Sequence, residues 1–168
     1  MWVCAAAIAL LQQGCSTADV VSSHLLKNIF EPDPTLVEAT VKVAQDVNPD
    51  TRDRPSPIKV RFYLLSSPNV LQSTGFYELK DQDRELLSND LRLREERVFR
   101  PGEESKLEMR IAGEEVTEDE RIFLGVVAGY WDLDGAKWQA LRQIEVRETT
   151  QVVIDIGRSE VAIRPVNK

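Results

Sequence analysis

Ile58-Lys59-Val60-Arg61-Phe62-Tyr63-Leu64-Leu65 alternates apolar and polar side chains over most of its length, and that two-residue period decides the fold class. Successive side chains of a strand point to opposite faces, so Ile58, Val60, Phe62 and Leu64 share one face while Lys59, Arg61 and Tyr63 share the other. The stretch predicts a half-buried strand. Upstream, residues 37–44 repeat the pattern, with Val37, Ala39, Val41 and Val43 opposite Glu38, Thr40 and Lys42. Between the two strands lies Asn48-Pro49-Asp50-Thr51-Arg52-Asp53-Arg54-Pro55-Ser56-Pro57, too rich in proline and turn formers for helix or strand. It is expected to project as an ordered loop.

Downstream the period changes. Phe76, Leu79, Leu86, Leu87 and Leu91 fall near helical intervals within residues 73–90, and Asp81 or Asp83 is available as an amino-terminal cap, so one or two short helices are predicted. Residues 94–99 and 106–111 flank Arg100-Pro101-Gly102-Glu103, whose proline and glycine suit a reversing turn, and read as a connected pair of strands. Residues 122–131 are almost continuously apolar, which fits a strand covered on both faces and central in its sheet. Further strands are expected at 137–146, 150–156 and 160–164. About eight strands joined by short connections predict an all-β fold, a two-sheet antiparallel β-sandwich with short helical inserts around one core.

The 168-residue length suits a single domain, which at that size buries roughly 70% of its unfolded surface. Its 21 basic and 28 acidic side chains leave a net charge of -7, which argues against nucleic acid as a partner. The two cysteines, Cys4 and Cys15, both precede the predicted strands, so no disulfide staples the body. Acidic runs (Glu95-Glu96, Glu103-Glu104, Glu114-Glu115, Glu118-Asp119-Glu120) read as solvated turns. With no phosphate-cradling glycine loop, nucleophile elbow or Cys and His pairing, no enzyme and no cofactor is expected. His24 is the lone histidine, and Asp132-Leu133-Asp134-Gly135 lacks the later ligands of a calcium loop and predicts a hairpin turn, so no metal is expected either. Tyr63, Tyr130, Trp131 and Trp138 are read as core or edge packing.

Residues 3–11 are nearly all apolar, too few to span a bilayer as a helix but right for the core of a signal peptide. Gly14-Cys15 then resembles the end of a bacterial lipobox, in which the cysteine thiol takes a diacylglycerol. Gln12 stands where a lipobox usually has Leu, and no Lys or Arg precedes the apolar core. The competing reading is an ordinary thiol after a short apolar helix. On the lipobox reading, residues 1–14 are a signal peptide, 15–34 a lipidated tether ending in Glu31-Pro32-Asp33-Pro34, and 35–168 the folded domain. Ser16 in place of Asp after the cysteine favours the outer membrane.

Asn48-Pro49-Asp50, then Arg54-Pro55-Ser56-Pro57 leading into Val60-Arg61-Phe62-Tyr63-Leu64, resembles the TssJ family, the outer-membrane lipoproteins of the type VI secretion system. Phe76-Tyr77-Glu78-Leu79, residues 91–97 followed by Arg100-Pro101-Gly102-Glu103, and Val126-Val127-Ala128-Gly129-Tyr130 ahead of Trp138 extend the likeness across residues 37–163. The resemblance implies a transthyretin-like sandwich, held by its lipid at the outer membrane and facing the periplasm. It also implies a partner: the periplasmic C-terminal region of TssM, an inner-membrane protein associated with TssL. In that family the loop between the first two strands contributes to binding. Here it comprises Asn48, Pro49, Asp50, Thr51, Arg52, Asp53, Arg54, Pro55, Ser56 and Pro57. A monomer before assembly is expected. The alternative is a periplasmic sandwich lipoprotein that binds a small molecule, saccharide or peptidoglycan, which calls for an aromatic-lined pocket with convergent polar groups.

Overall fold

The computed structural model describes residues 31–166. The fold is that of the compact unit that begins at Pro32. Its elements run β1 (Thr35–Val43), β2 (Ile58–Leu65), α1 (Asn69–Ser73), α2 (Phe76–Leu86), β3 (Leu91–Phe99) and β4 (Glu104–Ile111). A turn of 3-10 helix (Gly113–Glu115) precedes β5 (Ile122–Ala128), β6 (Gln139–Ile144), β7 (Thr149–Ile156) and β8 (Val161–Pro165).

The strands form two four-stranded sheets, ordered β4-β1-β7-β8 and β3-β2-β5-β6. All the ladders are antiparallel except β1 with β7, which run parallel from Leu36 opposite Thr149 to Val43 opposite Ile156. The inward faces meet as alternation demands: Val37, Ala39, Val41 and Val43 from one sheet, Ile58, Val60, Phe62 and Leu64 from the other, all buried in one core. Fully burying each of the Val, Ile, Leu and Phe side chains among them is worth about 1.5–3 kcal/mol. Phe62 and Phe99 meet edge to face within that core, 6.2 Å between ring centroids and 87° between planes.

The second sheet is covered on its back as well. Tyr63, Leu65 and Val127 leave the main core and pack against Leu71 of α1, Leu79 of α2 and Leu87 just beyond it. That explains the apolar run that opens with β5, a strand with β2 on one side and β6 on the other and with both faces covered. Gly125 makes the close approach of α1 workable, since a Cβ there would lie 2.6 Å from Leu71 Cδ2.

Three expectations change. β3 and β4 are consecutive and joined by a turn, yet they do not pair: β3 lies beside β2 and β4 beside β1. Arg100-Pro101-Gly102-Glu103 carries the chain from one sheet to the other, with the Glu103 N–H on the Arg100 carbonyl (3.1 Å) and the Gly102 N–H on that of Ala44 (3.2 Å). Gly102 has φ 75°, the left-handed region that glycine enters without steric cost. Turn chemistry reverses direction without choosing the next neighbour. Secondly, α2 starts at Gly75 with no side-chain cap, and Asp83 follows a break at Gln82 (φ -134°, ψ 26°) with its carboxylate buried against the sheet. Thirdly, Glu95 and Glu96 lie on β3 and not in a turn, because the flanking residues keep the pairing with β2 unbroken there.

Candidate partner-binding surface

The loop between β1 and β2 is ordered by its own polar groups. Asn48, with φ 49°, adopts a left-handed conformation that asparagine tolerates better than most residues. Its buried side chain donates from Nδ2 to the Pro57 carbonyl (3.0 Å) and accepts at Oδ1 from the Trp131 N–H (2.7 Å). One amide thus joins both ends of the loop to the connection after β5. Farther out, Asp50 Oδ1 accepts the N–H groups of Arg52 (2.8 Å) and Arg54 (3.1 Å), while Oδ2 accepts Nε (2.9 Å) and Nη2 (2.6 Å) of Arg54. The Arg54 side chain first, and then these backbone donors, hold the Asp50 carboxyl down at about 2. Asp53 (φ 63°) pairs with Arg158 from the turn between β7 and β8, and the Asn48 N–H donates to the Arg158 carbonyl (3.0 Å).

The expected binding residues therefore divide. Asn48 is buried and works as a brace; Pro49, Asp50 and Ser56 are half-buried; Thr51, Arg52, Asp53, Arg54, Pro55 and Pro57 are exposed and free to meet a partner. Cys15 and His24 lie outside the described residues.

Beside the loop opens a cleft of about 750 Å³. Asn48 and Pro57 line one part, Phe76, Tyr77 and Lys80 of α2 another, and Gly129, Tyr130 and Trp131 a third, with Lys59 and Arg61 of β2 also contributing. Phe76 is propped edge-on against Trp138, 5.5 Å between centroids. Tyr63 and Tyr130 are buried and Trp138 half-buried, as packing residues should be. Trp131 is not: it stands 68% exposed, because β5 ends at Ala128 and leaves it on the following connection. The Asp-Leu-Asp-Gly turn immediately after it was the available sign. Asp132 Oδ1 in that turn accepts the Gly135 N–H (3.2 Å).

A charge network fixes the wall formed by α2. Tyr63 Oη (2.7 Å) and Arg94 Nε (2.7 Å) donate to Asp83 Oδ2, with Arg61 Nη1 3.2 Å from the same oxygen. Glu96 receives Arg61 (2.8 Å), Arg94 (2.8 Å) and Lys59 (3.1 Å). Arg61 also donates to the carbonyls of Leu79 and Lys80, both at 2.9 Å. Just past the Gln82 break the Arg84 N–H donates to Asp83 Oδ1 (2.9 Å), and the Lys80 carbonyl accepts from Arg61 Nη2. Burial pushes both carboxyls up, but the cationic donors outweigh it, leaving Asp83 below its ordinary value and Glu96 at about 2. Burial, and then the hydrogen bond to Asp83, push the Tyr63 phenol up.

The family model described as type VI secretion lipoprotein, VasD, EvfM, TssJ, VC_A0113 matches residues 35–159, from the first residue of β1 to the turn before β8. The chain belongs to the type VI secretion lipoprotein family. The T6SS lipoprotein TssJ1 of Pseudomonas aeruginosa is similar over 80% of this chain and 98% of its own, at 28% identity and a TM-score of 0.72. Serratia marcescens Lip, a membrane-bound component of the type VI secretion system, shares the fold at 24% identity and 0.66, over 79% of this chain and 97% of its own. A chain in the structure of the T6SS protein TssM C-terminal domain from EAEC shares it at 20% identity and 0.61, over 76% and 98%. No individually curated protein matches the sequence. As a type VI secretion lipoprotein of the TssJ kind, the protein is a membrane-bound structural scaffold and not an enzyme.

Proposed function

We propose that this protein is the outer-membrane scaffold of a type VI secretion membrane complex. Residues 1–14 act as signal peptide, Cys15 carries the lipid, residues 15–34 form the tether, and the domain that follows faces the periplasm. There it binds the periplasmic C-terminal region of TssM through residues 48–57, and through TssM it is joined to TssL. One observation carries this reading: in a chain of this family the loop is exposed at its tip and braced at its base by Asn48 and Asp50. A loop held in one shape before binding loses less conformational entropy on docking.

The test is affinity for a periplasmic TssM fragment. Replacing residues 49–56 with a Gly-Ser segment of equal length, with Asn48 and Pro57 kept, is expected to weaken binding strongly while the melting temperature stays near that of the native chain. Equal affinity would remove the loop from the site. Labelled fatty acid is expected to enter the native protein and not Cys15→Ala.

A second reading draws on the cleft, whose aromatic lining and convergent polar groups suit a small molecule, saccharide or peptidoglycan fragment. It requires such a ligand to bind with the TssM fragment absent, and Trp131→Ala to abolish that binding.

A further inference from the structure

We propose that the cleft between α2 and the 48–57 loop receives an acidic segment of the protein partner, with an apolar side chain of that segment packed against Trp131. This rests on the reading of the protein as a TssM-binding scaffold and adds a second contact of defined chemistry beside the loop.

Charge is the first argument. The chain as a whole carries -7, yet the cleft is lined by Lys59, Arg61 and Lys80 and by no carboxylate. Asp83 and Glu96 answer Lys59, Arg61 and Arg94, two anions against three cations, and among the described residues Lys80 makes no ion pair. The patch is therefore net positive on an acidic protein, which selects for a negative partner and speeds its arrival. The Arg61 guanidinium is already committed to two carbonyls and two carboxylates, so the cation left to meet an incoming anion is Lys80, on the helix that Arg61 holds in place.

Exposure is the second. Among the described residues the exposed aromatics are Tyr77 (70%) and Trp131 (68%), and both line this cleft. Tryptophan and tyrosine dominate the binding energy of protein interfaces because one side chain covers a large area with few torsions to freeze. Neither is loose at its base: Trp131 is held through its N–H by Asn48, and Tyr77 stacks edge-on against Phe76 at 5.9 Å. Asn48 thereby belongs to the loop and the cleft at once, making the two surfaces continuous. A neutral saccharide would use the aromatics and leave Lys80 unanswered.

The experiment titrates the full-length lipoprotein in detergent with the periplasmic TssM fragment. Trp131→Ala and Lys80→Glu are expected to lower affinity about ten-fold or more each, while Lys106→Glu, on β4 of the other sheet, leaves it unchanged. Gly129→Leu, which places a side chain in the cleft without altering Trp131 or Lys80, is expected to act likewise, with thermal melting checking that it still folds. Added salt is expected to weaken the wild type more than Lys80→Glu. If the loop replacement weakens binding while Trp131→Ala and Lys80→Glu bind like wild type, the cleft inference falls and the scaffold reading stands. If the wild type fails to bind the fragment, the scaffold reading falls and takes the inference with it. Muropeptides that bind the wild type but not Trp131→Ala, without competing with the fragment, would overturn the inference in favour of a saccharide site.

Discussion

Along β1, buried and more accessible residues alternate from Thr35 to Val43, whereas β5 is covered at nearly every position. The β4-β1-β7-β8 sheet is completed by the opposing sheet alone and turns Glu38, Thr40 and Lys42 outward. The β3-β2-β5-β6 sheet also carries α1 and α2 on its back, and the polar side chains caught there, Tyr63, Arg61 and Asp83, are satisfied by one another. A sheet covered on both faces has to solve a packing problem at the rim of its cover, and the solution here is the charge network and the cleft. The surface suited to a partner gathers where the second layer ends.

That contrast can be broken. The largest effect is expected from Phe62→Ala in the core both sheets share: about 4 kcal/mol of stability lost, with chemical denaturation still a single transition. Two transitions would mean that the sheets are independently stable.

Next comes Asp83→Ala, which leaves Arg61 and Arg94 facing each other across a removed carboxylate. A loss of about 3 kcal/mol is expected, of the order found when one partner of a buried pair is deleted, with amide exchange in α2 accelerated more than in β1. Equal acceleration in both would deny the cover its separate attachment. The same network makes stability depend on acid. Folded Asp83 and Glu96 both titrate low, so their contribution is complete above the ordinary glutamate range near 4.5 and is lost as pH falls toward about 2. Asp83→Ala is expected to flatten that decline in an acid melting series.

Smaller still is Asn48→Ala, which removes the bonds to Pro57 and Trp131 and is expected to cost about 1–2 kcal/mol, visible as a lower denaturation midpoint. Trp131 fluorescence is expected to change with it. At the end of the scale, Arg54→Ala is expected to leave melting unchanged, since Arg54 is exposed, while limited proteolysis within residues 48–57 becomes faster. A clear drop in melting would mean that the loop tip supports the sandwich, contrary to its place outside both sheets.

Much of this was legible beforehand. The alternation of Ile58, Val60, Phe62 and Leu64 is local and unambiguous, so the bounds of β2 follow from it, and the apolar run before Tyr130 told that β5 is covered twice. Asp83 was legible only as a cap, because a carboxylate near a helical period looks alike whether water or Tyr63 receives it. Glu96 read as solvent-facing for the same reason. Trp131 could not be separated from Trp138 by residue type; what separates them is that one follows the end of β5 and the other packs on Phe76.

By itself the chain determined most of its strands, its two-layer class and the ordered character of the loop at residues 48–57, because side-chain periodicity and proline act over a few residues. Tertiary structure alone decided the parallel pairing of β1 with β7, the passage of Gly102 between sheets, and the meeting of Asn48 with Trp131, 83 positions apart. Those depend on which faces find each other when the core closes, and no short stretch of sequence holds that information.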